Sequence, residues 1–94
     1  MRTIERASAF KRDYKRVKET PRYRKNIDGL LTGILSILVS DESLPPAFHD
    51  HPLIGDWAGY RECHIKPDLL LIYMKPDNVI LRLVRLGSHS ELFG

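Results

Sequence analysis

Hydrophobic and polar positions change their period along this chain, from a helical spacing in the first half to a strand-like alternation in the second. The segment from Arg2 to Arg6 alternates polar and apolar residues, which predicts a short strand at a sheet edge. After Ser8, a candidate N-cap, Phe10, Tyr14 and Val17 recur at helical spacing. The chain is therefore expected to begin with a strand followed by a short helix.

The second helix has the most continuous apolar stripe. The Thr20-Pro21 pair is typical of a helix start, with Thr20 as the N-cap and Pro21 at the first helical position. Pro45-Pro46 marks the loop beyond its end. We expect this helix and the first to form a hairpin that lays one apolar face on a sheet. The stripe has an i, i+3, i+4 spacing and consists of Ile27, Leu30, Leu31, Ile34, Leu35 and Leu38.

A long connection from Ala47 to Gly59 precedes the first strand of the second half, from Tyr60 to Ile65. Alternation in that strand places Cys63 on the face covered by the helices and His64 on the opposite, open face. Cys63 itself is expected to be buried and inert, and Trp57 is interpreted mainly as a packing residue.

Two further strands are predicted. The run from Leu69 to Met74 is apolar on both faces, which indicates a central strand. Lys75 to Asn78 has good turn chemistry, and Val79 to Arg85 returns as the partner strand. A short tail after Gly87 is expected to form one helical turn. Together these elements predict an α+β domain spanning residues 1–94, with a mainly antiparallel four-stranded sheet and the helices on one face.

The formal net charge of +3 conceals a strong asymmetry. Residues 1–25 hold ten lysines and arginines against three acidic residues, whereas residues 26–94 hold five against nine. A basic first quarter suits RNA or an acidic protein partner, and a solvated helix face is the alternative interpretation. The first-helix residues proposed to bind such a partner are Lys11, Arg12, Lys15 and Arg16.

Cysteine usage and hydropathy bear on the compartment. A single cysteine cannot form an internal disulfide, the N-terminal residues lack the apolar core of a signal peptide, and no apolar run is long enough to span a membrane. We therefore expect a cytoplasmic protein that does not contact a membrane.

The candidate chemistry lies in the second half, which contains all four histidines. Metal-independent RNA cleavage needs a base for the 2′-hydroxyl, an acid for the leaving 5′-oxygen and a cation for the charged phosphorane. Histidines His51, His64 and His89 suit proton transfer near neutral pH, and Arg85 suits phosphate. Asp68 would orient a histidine or act as a base. Each residue also has a structural alternative. His51 would be a surface-loop residue, His64 an exposed strand residue and Asp68 part of a turn. Arg85 would be a solvated strand end, and His89 part of a frayed tail.

Phe93 is either an aromatic platform for a splayed base or a packing anchor. A metal site built from the histidines and Asp68 is not supported by any HExxH or paired-cysteine spacing, so no metal or other cofactor is expected.

Several short motifs of residues 50–94 resemble those of YafQ-type toxins, which belong to the RelE/ParE superfamily of bacterial toxin–antitoxin modules. The N-terminal half is similar only in its pattern of two helices with a basic first one. The resembling positions are Asp50-His51-Pro52-Leu53, Gly55, Trp57, Gly59-Tyr60-Arg61, His64, Pro67-Asp68, Ile72-Tyr73, Arg85, Gly87, His89 and Leu92-Phe93-Gly94.

The resemblance implies a RelE-like fold and an mRNA interferase that cuts messenger RNA in the A site of the 70S ribosome, by 2′-hydroxyl attack that leaves a 2′,3′-cyclic phosphate. It implies an acid–base group of His51, His64, Asp68 and His89, with His51 preferred as base and His89 as acid. Arg85 would stabilise charge and Phe93 would contact the substrate. It also implies basic helices that dock on ribosomal RNA and a cognate antitoxin, expected in a toxin–antitoxin heterotetramer.

One position departs from the family pattern, because relatives commonly have tryptophan where this chain has Leu69. That difference bears on base stacking or codon preference rather than on cleavage. Two other hypotheses remain: a ParE-like poison of DNA gyrase on the same fold, which would not need the histidines, and an RNA- or protein-binding module using the basic first quarter.

Overall fold

The computed structural model describes residues 1–94 as three helices and five strands. Two single-turn 3-10 helices, Pro46–Phe48 and Gly55–Trp57, lie in the long connection. In chain order the elements are β1 Thr3–Arg6, α1 Ser8–Glu19, α2 Ile27–Val39, β2 His51–Pro52, β3 Arg61–Lys66, β4 Leu69–Met74, β5 Ile80–Gly87 and α3 His89–Phe93.

All five strands form one sheet in the order β1-β5-β4-β3-β2. β1 runs parallel to β5, and the other three pairings are antiparallel. The predicted α+β class and mainly antiparallel sheet are confirmed, as is the central position of β4. The predicted count of four strands is wrong by one, because β2 is only two residues long and shows no alternation. Pro52 in that strand cannot donate a ladder hydrogen bond, which suits its position at the sheet edge.

The two long helices cover one face of the sheet, as predicted. Ile27, Leu31, Ile34 and Leu38 of the α2 stripe are buried there. Phe10 and Val17 of α1 join the same cluster, as do residues of β3, β4 and β5, including Cys63 and Ile65. The thiol of Cys63 is fully buried, and this burial raises its pKa to about 12.

The helix boundaries differ from those predicted. Ser8 is the first residue of α1, and Ala7 occupies the N-cap position. Thr20 ends α1 instead of beginning α2, which starts only at Ile27. The intervening residues form turns that are anchored by Tyr23, whose side chain is buried in the core. The Thr20-Pro21 dipeptide by itself favours a helix start. Here the burial of Tyr23 keeps the residues after it in turns, so the second helix begins later than predicted.

The opposite face of the sheet is partly covered by α3 and the long connection. Leu70, Ile72 and Leu92 form a small buried cluster, against which Trp57 and Phe93 pack. The predicted helical turn is therefore α3, fixed at its start by a capping box: Ser88 Oγ accepts a hydrogen bond from the backbone N–H of Glu91, and the Glu91 carboxylate accepts one from that of Ser88. None of the helices is long and apolar enough to cross a membrane.

Candidate active site

His51 is held at the sheet edge by the residue before it. The Asp50 carboxylate accepts a hydrogen bond of 2.7 Å from the hydroxyl of Tyr73 in β4 and one of 3.3 Å from Arg61 Nε in β3. Burial and the bond to Asp50 raise the pKa of Tyr73, which keeps this hydroxyl a donor. Backbone pairing then places His51 directly opposite Glu62.

His51 and Glu62 form a close pair. Nε2 of His51 lies 3.1 Å from Oε2 of Glu62, and Nδ1 lies 2.7 Å from the carbonyl oxygen of His49. Because a carbonyl oxygen can only accept, Nδ1 must carry a proton. Nε2, the ring nitrogen that can gain or lose a proton, then faces the carboxylate oxygen Oε2. The pair is therefore a unit able to take up and release a proton.

Glu62 faces a second histidine and is nearly enclosed. Its side chain is 8% exposed, Oε2 lies 3.9 Å from Nε2 of His64, and Oε1 is buried without a hydrogen-bond partner. The ring of His64 in turn meets that of His49 edge-on at a centroid distance of 5.3 Å. The structure thus gathers two of the predicted histidines, His51 and His64, around one carboxylate.

These histidines line a hollow of about 520 Å³ beside the edge strand. His49 enters it from a left-handed backbone conformation with φ of 49°, at the end of the first 3-10 helix. The lining residues are Ala47, Phe48, His49, His51, His64, Ile65, Lys66 and Pro67.

The sheet register relates this hollow to the C-terminal end of β5. Glu62 is opposite Ile72, which is opposite Arg85, and His64 is opposite Leu70, which is opposite Gly87. Adjacent strands lie about 4.8 Å apart, so β3 and β5 are separated by roughly 10 Å across the apolar floor that Leu70 and Ile72 provide. No hydrogen bond or ring contact joins His89 to the other two candidate histidines.

His89 and Phe93 lie together on α3. Their ring centroids are 5.0 Å apart, and the ring of Phe93 also meets that of Trp57 edge-on at 5.6 Å. His89 is exposed, whereas Phe93 is half-buried. Trp57 packs as predicted. Phe93 combines a packing contact with a partly exposed ring.

The guanidinium of Arg85 is bound to a carboxylate of α1 that sequence analysis did not identify. Nε and Nη2 of Arg85 lie 2.6 and 3.2 Å from the two carboxylate oxygens of Asp13. Burial of Asp13 opposes its ionisation, but hydrogen bonds from Arg85, the Leu86 N–H and Arg16 hold its pKa below the ordinary 3.8. The bond to Asp13 also raises the pKa of Arg85. Arg85 is thus a fixed cation and not a solvated strand end.

Asp68 contacts none of the histidines. Its Oδ2 accepts a hydrogen bond of 2.7 Å from the hydroxyl of Tyr23 and lies 3.2 Å from Arg22. Burial and the bond to Asp68 raise the pKa of Tyr23 to about 12. Asp68 does lie at the same end of the sheet as His89, since each is two residues beyond the opposed pair of Leu70 and Gly87.

The four basic residues of α1 that were predicted to bind a partner divide into two groups. Lys11, Arg12 and Lys15 are exposed and form no ion pair. Arg16 instead binds Asp13 at 2.8 Å and Glu91 at 3.1 Å. The first three form a cationic surface, defined here as the α1 basic surface, and Arg16 belongs to the contacts between α1 and α3.

The family model described as "Bacterial toxin of type II toxin-antitoxin system, YafQ" matches residues 2–94. The chain belongs to the YafQ toxin family. Among its relatives, the mRNA interferase toxin YafQ of Escherichia coli K12 is 36% identical over 93 residues, which are 99% of this chain and 97% of that protein.

Solved structures of bacterial toxins have the same fold. YafQ in the E. coli DinJ-YafQ complex superposes with a TM-score of 0.84 at 36% identity, covering 100% of both chains. A metal-bound toxin from Helicobacter pylori superposes with a TM-score of 0.83 at 45% identity, covering 99% of this chain and 100% of that one.

The metal in that H. pylori toxin raises the question of a metal site in this YafQ-family chain. No group of three or more His, Cys, Asp or Glu side chains is arranged here to hold a metal ion. The donors nearest to such a set are His51, Glu62 and His64, and in this structure the carboxylate is used by His51. The observed arrangement of His51, Glu62 and His64 suits proton transfer.

Proposed function

We propose that this YafQ-family toxin is an mRNA interferase, an endoribonuclease that cuts messenger RNA in the ribosomal A site and so inhibits translation in the cytoplasm. The observation that carries the proposal is the pairing of His51 with the buried Glu62, beside His64 and across the Leu70–Ile72 floor from Arg85 and α3. The activity named for the E. coli relative supports it.

In the proposed mechanism, the pair of His51 and Glu62 accepts the proton of the 2′-hydroxyl. The resulting oxygen attacks the adjacent phosphorus, the bond to the 5′-oxygen breaks, and a 2′,3′-cyclic phosphate forms. Arg85 stabilises the charge on the non-bridging oxygens. His89 gives its proton to the leaving 5′-oxygen.

The remaining site residues complete the proposal. His64 shares the Glu62 carboxylate and supports the proton held there, and Asp68 supplies a carboxylate at the end of the sheet near His89. Phe93 presents the open part of its ring to a base of the substrate. The α1 basic surface docks on ribosomal RNA.

The proposed partners are the ribosome with its mRNA and a cognate antitoxin. The E. coli relative is known in complex with DinJ, which supports an antitoxin for this chain, and we propose a toxin–antitoxin heterotetramer.

The test compares wild type with His51→Ala, His64→Ala and His89→Ala in a reconstituted translation reaction, with cuts mapped by primer extension. Each variant should lower the cleavage rate by about 10²–10⁴-fold, because each removes a group that transfers or supports a proton. Asp56→Asn, in the exposed long connection, should cleave as wild type does.

Wild-type rates in all three histidine variants would contradict the proposal, and DNA breaks without ribosome-positioned RNA cuts would favour the gyrase poison. Toxin that is treated with a chelator, dialysed and then assayed with Mg²⁺-replete ribosomes should cleave as before, and loss of its cleavage would contradict the metal-independent mechanism.

A further inference from the structure

The contacts of Asp13 form a network between α1, the end of β5 and α3. Asp13 is 3% exposed, yet it lies on a helix whose exposed face is strongly basic. Its carboxylate accepts hydrogen bonds from Arg85, from Arg16 and from the backbone N–H of Leu86, the last at 3.0 Å. A buried carboxylate is costly unless it is fully paired, and here each oxygen has at least two donors.

We propose that Asp13 is a positioning residue for RNA cleavage, which holds the Arg85 guanidinium so that its remaining N–H groups face the reacting phosphate. This inference rests on the proposed function. Arginine has five N–H donors in a rigid plane, and Asp13 engages Nε–H and one N–H of Nη2. Three donors of the same plane remain, which matches the forked contact that arginine makes with phosphate oxygens.

The orientation is fixed because Asp13 also binds the strand that carries Arg85. The Leu86 N–H donates to the same oxygen, Oδ2, that Arg85 Nε contacts. The register of β4 with β5 shifts beside Arg85, between Ile72 and Tyr73. The side chain and the backbone of this irregular part of β5 are thus held by one carboxylate.

Arg16 extends the network to the helix that carries His89. Its Nη2 donates to the Leu86 carbonyl oxygen at 2.9 Å, and its Nε lies 3.1 Å from Oε2 of Glu91. The other oxygen of Glu91 accepts the capping bond from the Ser88 N–H at 2.8 Å. The same side chain that binds Asp13 therefore also holds the start of α3.

Gly87 gives independent support for tight packing at this junction. A Cβ at this position would lie 2.9 Å from Arg16 Nη2 and 3.1 Å from Glu91 Oε1. Glycine here leaves room for the contact between Arg16 and Glu91.

The decisive measurement is a double-mutant cycle of Asp13→Asn with Arg85→Ala, using single-turnover and steady-state cleavage in the translation assay. Asp13→Asn keeps the shape of the side chain but removes its charge. We expect it to lower kcat by about 10- to 100-fold with little change in KM, because a misplacement of about 1 Å costs rates of this size. In the Arg85→Ala background the same change should have an effect at least about tenfold smaller. Equal effects in both backgrounds, or wild-type kcat in Asp13→Asn, would overturn the proposal.

Two further variants keep the test decisive if Asp13→Asn folds poorly. Arg85→Lys retains the positive charge, but its ammonium group has no planar fork that could bind Asp13 on one side and phosphate on the other. Its kcat should therefore fall to a similar extent. Wild-type kcat in Arg85→Lys would also overturn the proposal. Asp28→Asn is the matched control, since it removes another carboxylate that pairs with α1, through Lys18, at the surface. It should leave kcat and KM unchanged.

A measurement without RNA separates failure of this inference from failure of the proposed function. In ¹⁵N-labelled protein, the Nε–H signal of Arg85 should be protected from solvent exchange in wild type and exposed in Asp13→Asn. An unprotected Arg85 signal in wild type would refute positioning by Asp13 even if RNA is cut. A protected signal in a protein that cuts no RNA would refute the proposed function and retain the structural link.

Discussion

Glu62 combines a high cost of burial with a central position among the candidate catalytic groups. Its Oε1 has no hydrogen-bond partner, and an unsatisfied buried polar group costs about 1–3 kcal/mol. Glu62→Gln leaves one buried oxygen unpaired but removes its charge, which lowers the cost of burial, and the amide can donate to a neutral His51. We therefore expect the free energy of unfolding in urea to rise by about 1 kcal/mol, while cleavage falls by about 10²-fold or more.

A control variant tests whether such an effect is specific to Glu62. Glu42→Gln removes an exposed glutamate and should change neither quantity. A Glu62→Gln protein that is less stable but fully active would assign the carboxylate a purely structural role.

Sequence periodicity places Glu62 on the same face as His64 but does not predict its contact with His51. That contact depends on the pairing of β2 with β3, and a two-residue strand has too few positions to show a period. The sequence pattern does not predict the buried contacts of Asp13, for a related reason. A single acidic residue among lysines and arginines resembles a solvated helix face, and only the tertiary contact with β5 distinguishes it. By contrast, the α2 stripe and the apolar run of β4 predicted their elements well, since each repeats over several residues.

The helix α3 is short enough that its cap should decide its stability. It has five residues, and its capping box lies directly beside Gly87 and the Arg16–Glu91 contact. Ser88→Ala removes the side-chain oxygen that accepts the Glu91 N–H, at a cost of about 1 kcal/mol. We expect faster amide exchange throughout α3 and a lower cleavage rate, since α3 carries His89 and Phe93.

The matched change is Ser36→Ala, which removes an exposed hydroxyl of α2 that bonds only to the Gly33 carbonyl oxygen of its own helix. Amide exchange in α3 should then remain as in wild type. If exchange in α3 is equally slow in both variants, the cap does not hold this helix, and the packing of Leu92 and the Arg16–Glu91 contact must do so.

Across the whole molecule, positive charge is concentrated on α1, and the α1 basic surface should determine the salt dependence of ribosome binding. Lys11→Gln, Arg12→Gln and Lys15→Gln combined should weaken binding and reduce the slope of log affinity against log salt by about 2 to 3, one for each lost phosphate contact. Lys75→Gln is the control, because Lys75 lies outside α1 and pairs with Asp41. An unchanged slope in the triple variant would place the RNA contact elsewhere.

Stability of the whole fold should fall steeply in acid. Five carboxyl groups have a pKa below their ordinary values, and Asp13 among them is buried between α1 and β5. Ionised Asp13 is favoured in the folded state, so its contribution is fully present above its unfolded pKa near 3.8 and is lost as the pH falls through the lower folded value. The other four are Asp28, Asp41, Asp77 and Glu91.

Asp13→Asn isolates the contribution of the buried carboxylate to this acid sensitivity. It leaves Arg85 without its buried counter-charge, which should cost about 3 kcal/mol at pH 7 in urea denaturation. Wild type loses the same interaction when Asp13 becomes protonated, so the two stability curves should begin to converge as the pH falls below 3.8. Asp41→Asn provides the comparison, because Asp41 is exposed and Lys75 and Arg2 lower its pKa to about 2 by surface contacts that solvent screens. A constant difference between wild type and Asp13→Asn from pH 7 down to pH 3 would show that the shape of the side chain, and not its charge, holds α1 to the sheet.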